Sequence, residues 1–343
     1  MDKRVVFAVA GSGKTKLIVD ELTIDSKAAI VTYTIRNEEN LRSRVIQKFG
    51  IIPKGVRIYS YYTFLYSFCF RPIVGINLKD KGINFDMPPT FTSRLPRTDL
   101  RFYIDNSQRM YSNRLAKFLQ QFNYVGDIQE RLTKYFDTVF IDEVQDLGGH
   151  DFNFILDLVP TNINFLFVGD FFQHTFDTSR DGSLNAGLYK DYGKYKKRFE
   201  KAGIEVDETS LIKSHRCSPT ICNFVTEALG IEILSHRQEE TELEHIVENQ
   251  KIKEIFDCNF TVKLFYQGSW KFQGYTCNWG ASKGEDKYND VCVVLNNTTF
   301  KHFRKRTLLE LNPQTRNKLY VACTRSKNNL YLLSEASLKK VIA

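Results

Sequence analysis

Arg4-Val-Val-Phe-Ala8-Val9-Ala10-Gly11-Ser12-Gly13-Lys14-Thr15 is the stretch on which the fold turns. An apolar run rich in β-branched residues gives way to two glycines, a lysine and a threonine, and a helical pattern follows. Strand, glycine loop and helix in that order form a phosphate-binding loop. Glycines let backbone N–H groups come close to phosphate oxygens, and the first turn of the helix adds partial positive charge. On this reading Ala10, Gly11, Ser12 and Gly13 cradle the phosphates of ATP. Lys14 reaches the β- and γ-phosphates, and Thr15 holds Mg²⁺.

Working outward, short β-branched or aromatic runs recur, each followed by a helical pattern. The first set is Arg4 to Val9, Ala28 to Thr34, Val56 to Ser60, Thr138 to Ile141 and Ile163 to Val168. The second is Glu205 to Leu211, Val262 to Tyr266, Val291 to Leu295 and Leu330 to Leu333. Strands alternating with helices predict an α/β fold with parallel sheets flanked by helices. Ser218-Pro219 and Asn312-Pro313 each mark a helix start, a capping residue before proline. Residues 72–134 break the alternation and are read as an insertion. The expected domains are 1–204 and 205–343, the second with a minimal accessory segment at about 230–260.

Phe140-Ile141-Asp142-Glu143 ends an apolar strand with two carboxylates. Alternation along a strand lets adjacent acids divide their work. Asp142 is expected to bind Mg²⁺, and Glu143 to orient and deprotonate a water. The bland alternative, a solvated acidic turn, is the weaker reading of the pair even alone. Gly169-Asp170-Phe-Phe-Gln173 follows another apolar strand, and Gln173 is a candidate sensor of the γ-phosphate.

The chain has 343 residues and a formal net charge of +8, which favours a polyanionic partner. No apolar run approaches a membrane span, so no membrane partner is expected. A signal peptide is not expected ahead of the loop. The seven cysteines form no zinc spacing and are read as reduced thiols, hence a cytoplasmic protein.

Taken in order, the motifs resemble the UvrD/Rep-type helicases of superfamily 1, in a compact form lacking most accessory subdomains. Ala8-x-Ala-Gly-Ser-Gly-Lys-Thr15, Asp142-Glu143-Val-Gln145-Asp146, Gly169-Asp170-x-x-Gln173 and Leu319-Tyr320-Val-Ala-Cys-Thr324-Arg325 carry the likeness. Ser214-His215-Arg216-Cys-Ser218 and Ser282-Lys283-Gly284 are similar to further motifs. The resemblance implies two RecA-like domains with the ATP site in the cleft between them. It implies arginine fingers at Arg216 and Arg325, an adenine contact at His215 and a ribose contact near Asp286. It also implies a grip on single-stranded DNA by Tyr33, Thr34, Arg36, Thr63, Phe64, Phe176 and Lys283, with Tyr62 beside them, and 3′-to-5′ movement. RNA stays open as the strand. An alternative is a DNA-stimulated ATPase subunit that regulates a partner nuclease. The sequence departs from the family at Gly280, where a histidine is usual, and at Asp286, where a glutamate is usual. No segment with the family's adenine-reading glutamine is expected upstream of Arg4.

Overall fold

The computed structural model describes residues 1–175 and 181–342. The chain divides into two compact units. One comprises Met1–Val6, Thr15–Gly169 and Asp177–Asp207; the other comprises Phe7–Lys14, Asp170–Phe176 and Glu208–Ala343.

The first unit is built on a six-stranded sheet. Its strands are β1 (Lys3–Phe7), β2 (Ala28–Thr32), β3 (Val56–Ser60), β6 (Thr138–Asp142), β7 (Asn164–Gly169) and β8 (Glu205–Asp207). Two short strands, β4 (Ile83–Asn84) and β5 (Met110–Tyr111), pair apart from it. The order is β3-β2-β6-β7-β1-β8, and β3–β2, β2–β6, β6–β7 and β1–β8 run parallel. All five residues of β2 are buried, as a strand covered on both faces requires. The helix Ile35–Phe49 starts where the Thr34 hydroxyl accepts from the Asn37 N–H, and it ends at Gly50 in the left-handed region.

The run Glu205 to Leu211 was expected to open the second set, but only Glu205–Asp207 forms a strand there. It pairs with β1 instead and completes the first sheet. The insertion holds helices at Ser112–Gln121 and Val125–Tyr135, near their expected places. Ahead of them Phe64–Gly75 forms a π-helix. Pro72 lies inside it and has no N–H to give to a regular helical ladder.

The second unit carries a five-stranded parallel sheet and a small parallel pair, β9 (Lys213–Ser214) with β10 (Leu234–Ser235). The sheet holds β11 (Leu243–Ile246), β12 (Thr261–Phe265), β13 (Thr276–Asn278), β14 (Asp290–Leu295) and β15 (Leu330–Ser334), in the order β11-β15-β14-β12-β13. Residues 230–260 are therefore not an appendage, because β11 is an edge strand of this sheet. The proline-led helices start as expected: Ser218 accepts from the Ile221 N–H and Asn312 from the Gln314 N–H. Among the described residues no helix is long and apolar enough to cross a membrane.

Candidate active site and nucleic-acid edge

In the first unit the expected acids sit at the carboxyl end of β6. Asp142 is 4% exposed, and its Oδ2 accepts from the Thr32 hydroxyl at 3.2 Å. Glu143 follows with φ 53° and ψ 44°, a left-handed conformation uncommon for a residue with a Cβ. Such conformations cluster at functional sites, where surrounding structure holds them. Here the holder is buried Gln145, whose Nε2 donates to Glu143 Oε2. Gly169, at the end of the neighbouring β7, makes room for this turn. A Cβ there would lie 2.5 Å from Gln145 Oε1 and 2.8 Å from Val144 Cγ1. The roles of Gln145 and Gly169 were not read from sequence, although both stand inside motifs.

Thr15, in the first turn of the helix Lys14–Asp20, and Asp142 offer hydroxyl and carboxylate oxygens. Such hard donors suit Mg²⁺, which is commonly held by one or two protein oxygens, waters and substrate phosphates rather than an all-protein cage. Among the described residues no group of three or more His, Cys, Asp or Glu gathers as a cage would require. The donor set thus fits the ion.

Four of the expected strand-gripping residues lie at the carboxyl ends of β2 and β3. Tyr33 is half-buried and packs against Tyr61 and Tyr62, ring centroids 6.4 and 6.3 Å away. Thr34 caps its helix, and Arg36 is exposed in that helix's first turn. Thr63 is exposed and hydrogen-bonds Ser60 through the hydroxyls at 2.7 Å. Phe85, 66% exposed, stands edge-on to Tyr62 at 5.3 Å and joins this aromatic cluster. It was missed because its segment has no periodicity. Phe64 is a correction: it is fully buried and stacked on Phe68 at 5.5 Å, so it is core and offers no face to a base. Phe176 lies outside the described residues.

In the second unit the phosphate loop is held by backbone and side chain. Gly11 and Gly13 have φ of 72° and 97°. The Ser12 hydroxyl donates to Val9 O at 2.8 Å. The His215 N–H donates to Gly11 O at 2.9 Å, which brings Arg216 against the loop. A Cβ on Gly11 would meet Arg216 Cβ at 2.7 Å and Ser214 Oγ at 2.9 Å. Glycine is therefore required here both by φ and by space.

A buried hydrogen-bonded path links the loop to the two later motifs. The Ala10 N–H donates to Tyr320 Oη at 2.8 Å. Tyr320 Oη donates to Asp170 Oδ2 at 2.9 Å. Gln173 Nε2 donates to the same oxygen at 2.9 Å. Tyr320 and Asp170 are missed site residues; both lay inside quoted motifs, but nothing in the sequence joins positions so far apart.

Arg216 Nη1 donates to Thr324 O at 3.1 Å, and its Nη2 pairs with Asp286. Asp286, expected near a ribose, thus serves as the counter-ion of Arg216. Arg325 is 2% exposed and donates from Nε to Val321 O at 3.2 Å and from Nη1 to Glu285 O at 3.1 Å. Burial, with the nearby Arg216 charge, pulls its pKa down to about 10, so it remains a cation at neutral pH. The His215 ring stacks on His236 at 3.9 Å with 6° between planes. Lys283 is half-buried just after the turn Gly280–Ser282.

Residues 93–334 match the model of the viral superfamily 1 RNA helicase core domain. No curated protein sequence matches the chain. Similar solved structures include the arterivirus nonstructural protein 10 helicase, at 13% identity and a TM-score of 0.52, with 99% of this chain and 61% of that one covered. The arterivirus nonstructural protein 10 helicase in complex with DNA matches at 13% identity and 0.50, covering 99% and 63%. The PRRSV helicase matches at 12% and 0.49, covering 97% and 52%. The chain thus spans between about half and two thirds of the length of those helicases, and at such identity the likeness is one of fold. The family match extends over well more than half of the chain: it belongs to the viral superfamily 1 RNA helicase core family.

Proposed function

We propose that the chain is an ATP-driven motor that moves along a single strand of nucleic acid. The observation that carries this reading is the seat of Arg216 against Gly11, since its backbone and Cβ pack directly on a glycine loop built for phosphates. Mg²⁺, held by Thr15 and Asp142, would neutralise charge on the phosphate oxygens. Lys14 and the loop N–H groups bind the β- and γ-phosphates. Glu143 orients a water and takes its proton as the water oxygen attacks the γ-phosphorus and ADP leaves. Arg216 and Arg325 are the candidates for stabilising charge on the transferred group; such fingers contribute about 10³–10⁵ in rate. Arg216 must then exchange Asp286 for phosphate, which makes hydrolysis dependent on a rearrangement that a bound strand can drive.

The strand is proposed to lie on Tyr33, Thr34, Arg36, Thr63 and Lys283, with exposed Phe85 added to the stacking surface. The finer likeness to UvrD/Rep-type enzymes supports single-stranded DNA as substrate and 3′-to-5′ movement. The matched family's RNA helicases make RNA the strand to compare. The seven free cysteines support a reducing, cytoplasmic setting.

The test is ATP hydrolysis with and without single-stranded DNA or RNA, beside Glu143→Gln. Stimulation by one polymer is expected, with hydrolysis reduced at least a hundredfold in the variant while ATP still binds. Absence of stimulation by either polymer refutes the motor.

A further inference from the structure

The parallel strands of the first sheet have two ends, and the candidate chemistry uses only the carboxyl one. At the amino end, Lys27 precedes β2, Gly55 precedes β3, and Phe136 stands just before β6. All three line a groove of about 500 Å³, a volume typical of ligand sites. A five-residue strand rises about 3.3 Å per residue, so the two ends lie roughly 15 Å apart.

Five cations line this groove, Lys27, Lys54, Arg57, Arg131 and Lys134, and no carboxylate does. Among the described residues none of the five is ion-paired, while Arg57 donates only to the carbonyls of Lys54 and Val56. Such a cluster raises the local potential and calls for an anion. Aromatic faces are interleaved with the charges. Arg131, Lys134 and Tyr135 share one face of the helix Val125–Tyr135. The Arg131 guanidinium lies 4.9 Å from the ring centroids of both Phe68 and Tyr135. Its Nε is buried with no hydrogen-bond partner. Tyr135 is 46% exposed and meets Phe68 edge-on at 6.4 Å. Tyr59 lies in the same wall.

Cations that track phosphates, beside rings on which bases stack, are the chemistry of single-strand binding. We propose that this groove is a second nucleic-acid site, taking phosphate and a stacked base at the end of the sheet opposite the candidate active site. An acidic peptide would satisfy the charges but leave the exposed Tyr135 face unused. The proposal rests on the motor reading only for its choice of ligand.

The experiment uses the full chain and single strands of DNA or RNA bearing 4-thiothymidine or 4-thiouridine. Irradiation is followed by peptide mapping, and anisotropy is titrated against salt. Adducts are expected on the peptides of Tyr59 or Tyr135. They should disappear in Lys54→Ala/Arg57→Ala, whose side chains are exposed, and in Arg131→Gln, which keeps bulk against both rings. The slope of log affinity against log salt should become shallower by about 1.4 in the double variant, about 0.7 for each phosphate that is no longer neutralised. ATP hydrolysis without a strand should not change. Groove adducts without stimulated hydrolysis would uphold this site and refute the motor. Stimulated hydrolysis with adducts only elsewhere and an unchanged salt slope would refute this site and uphold the motor. Binding of polyglutamate that Lys54→Ala/Arg57→Ala abolishes, with no groove adduct, would overturn the proposal in favour of a peptide.

Discussion

Removing one oxygen from Tyr320 should loosen the phosphate loop. Tyr320→Phe keeps the ring, which is fully buried and packed near Phe172 at 6.2 Å, so the shape of the core is retained. Two hydrogen bonds go: the one accepted from the Ala10 N–H at 2.8 Å and the one donated to Asp170 at 2.9 Å. A neutral bond contributes about 1 kcal/mol, one to a charged group about 1.5–3, and buried groups left short of a partner add to the loss. The expected cost is about 3 kcal/mol, a drop in melting temperature of roughly 4 °C for a chain of 343 residues. ATP turnover should fall about tenfold if half of that loss appears in the transition state. A double-mutant cycle with Asp170→Asn isolates the contact, and a coupling of about 1–2 kcal/mol is expected. Coupling near zero, with wild-type turnover in Tyr320→Phe, would refute the path from Ala10 to Asp170.

Gly169→Ala places a Cβ 2.5 Å from Gln145 Oε1, so the amide that holds Glu143 must move. Overpacking of this kind costs about 1–3 kcal/mol; kcat should fall while ATP affinity, by equilibrium titration, stays near wild type. His150 tests the response to pH. Burial, then the charge of Lys117, lowers its pKa to about 4 from an ordinary 6.5. The unfolded chain therefore binds the proton first, and stability present above pH 6.5 is lost as pH falls towards 4. Allowing for solvent screening, the loss is about 1–2 kcal/mol. Thermal melts of wild type and His150→Gln at pH 7.5 and 4.5 should differ, with the variant losing less on acidification.

What was legible in the sequence is what is local. A capping oxygen and the N–H from which it accepts are two or three residues apart, so Ser218 and Asn312 declare their helices unaided. The glycine loop and the acids after β6 are read from one strand end each. Distant pairings were not legible. Glu205–Asp207 looked like the first strand of a new sheet because its partner β1 lies at the other end of the sequence. Leu243–Ile246 carries Glu and His within four residues, and as an edge strand it needs no continuous apolar run. Phe64 directly follows exposed Thr63 in its motif, yet its own side chain points into the core. Motif position does not decide burial, because side chains on successive helical residues face different ways.

The same distinction explains why the helix Pro313–Cys323 is more than a carrier for Arg325. Gln314, Asn317 and Tyr320 recur every three residues and so share a face. Gln314 Nε2 donates to Thr175 O at 3.3 Å and Asn317 Nδ2 to His174 O at 3.1 Å, both just after Gln173. Tyr320 binds the phosphate loop and Asp170, and Val321 O anchors Arg325. One rigid element thus touches the nucleotide loop, the turn of Gln173 and the buried arginine. A shift of the loop cannot leave the arginine unmoved unless these bonds break, and a buried bond left unmade costs about 1–3 kcal/mol. Coupling between the loop and Arg325 is expected from that cost, because Tyr320 and Val321 are adjacent on one helix.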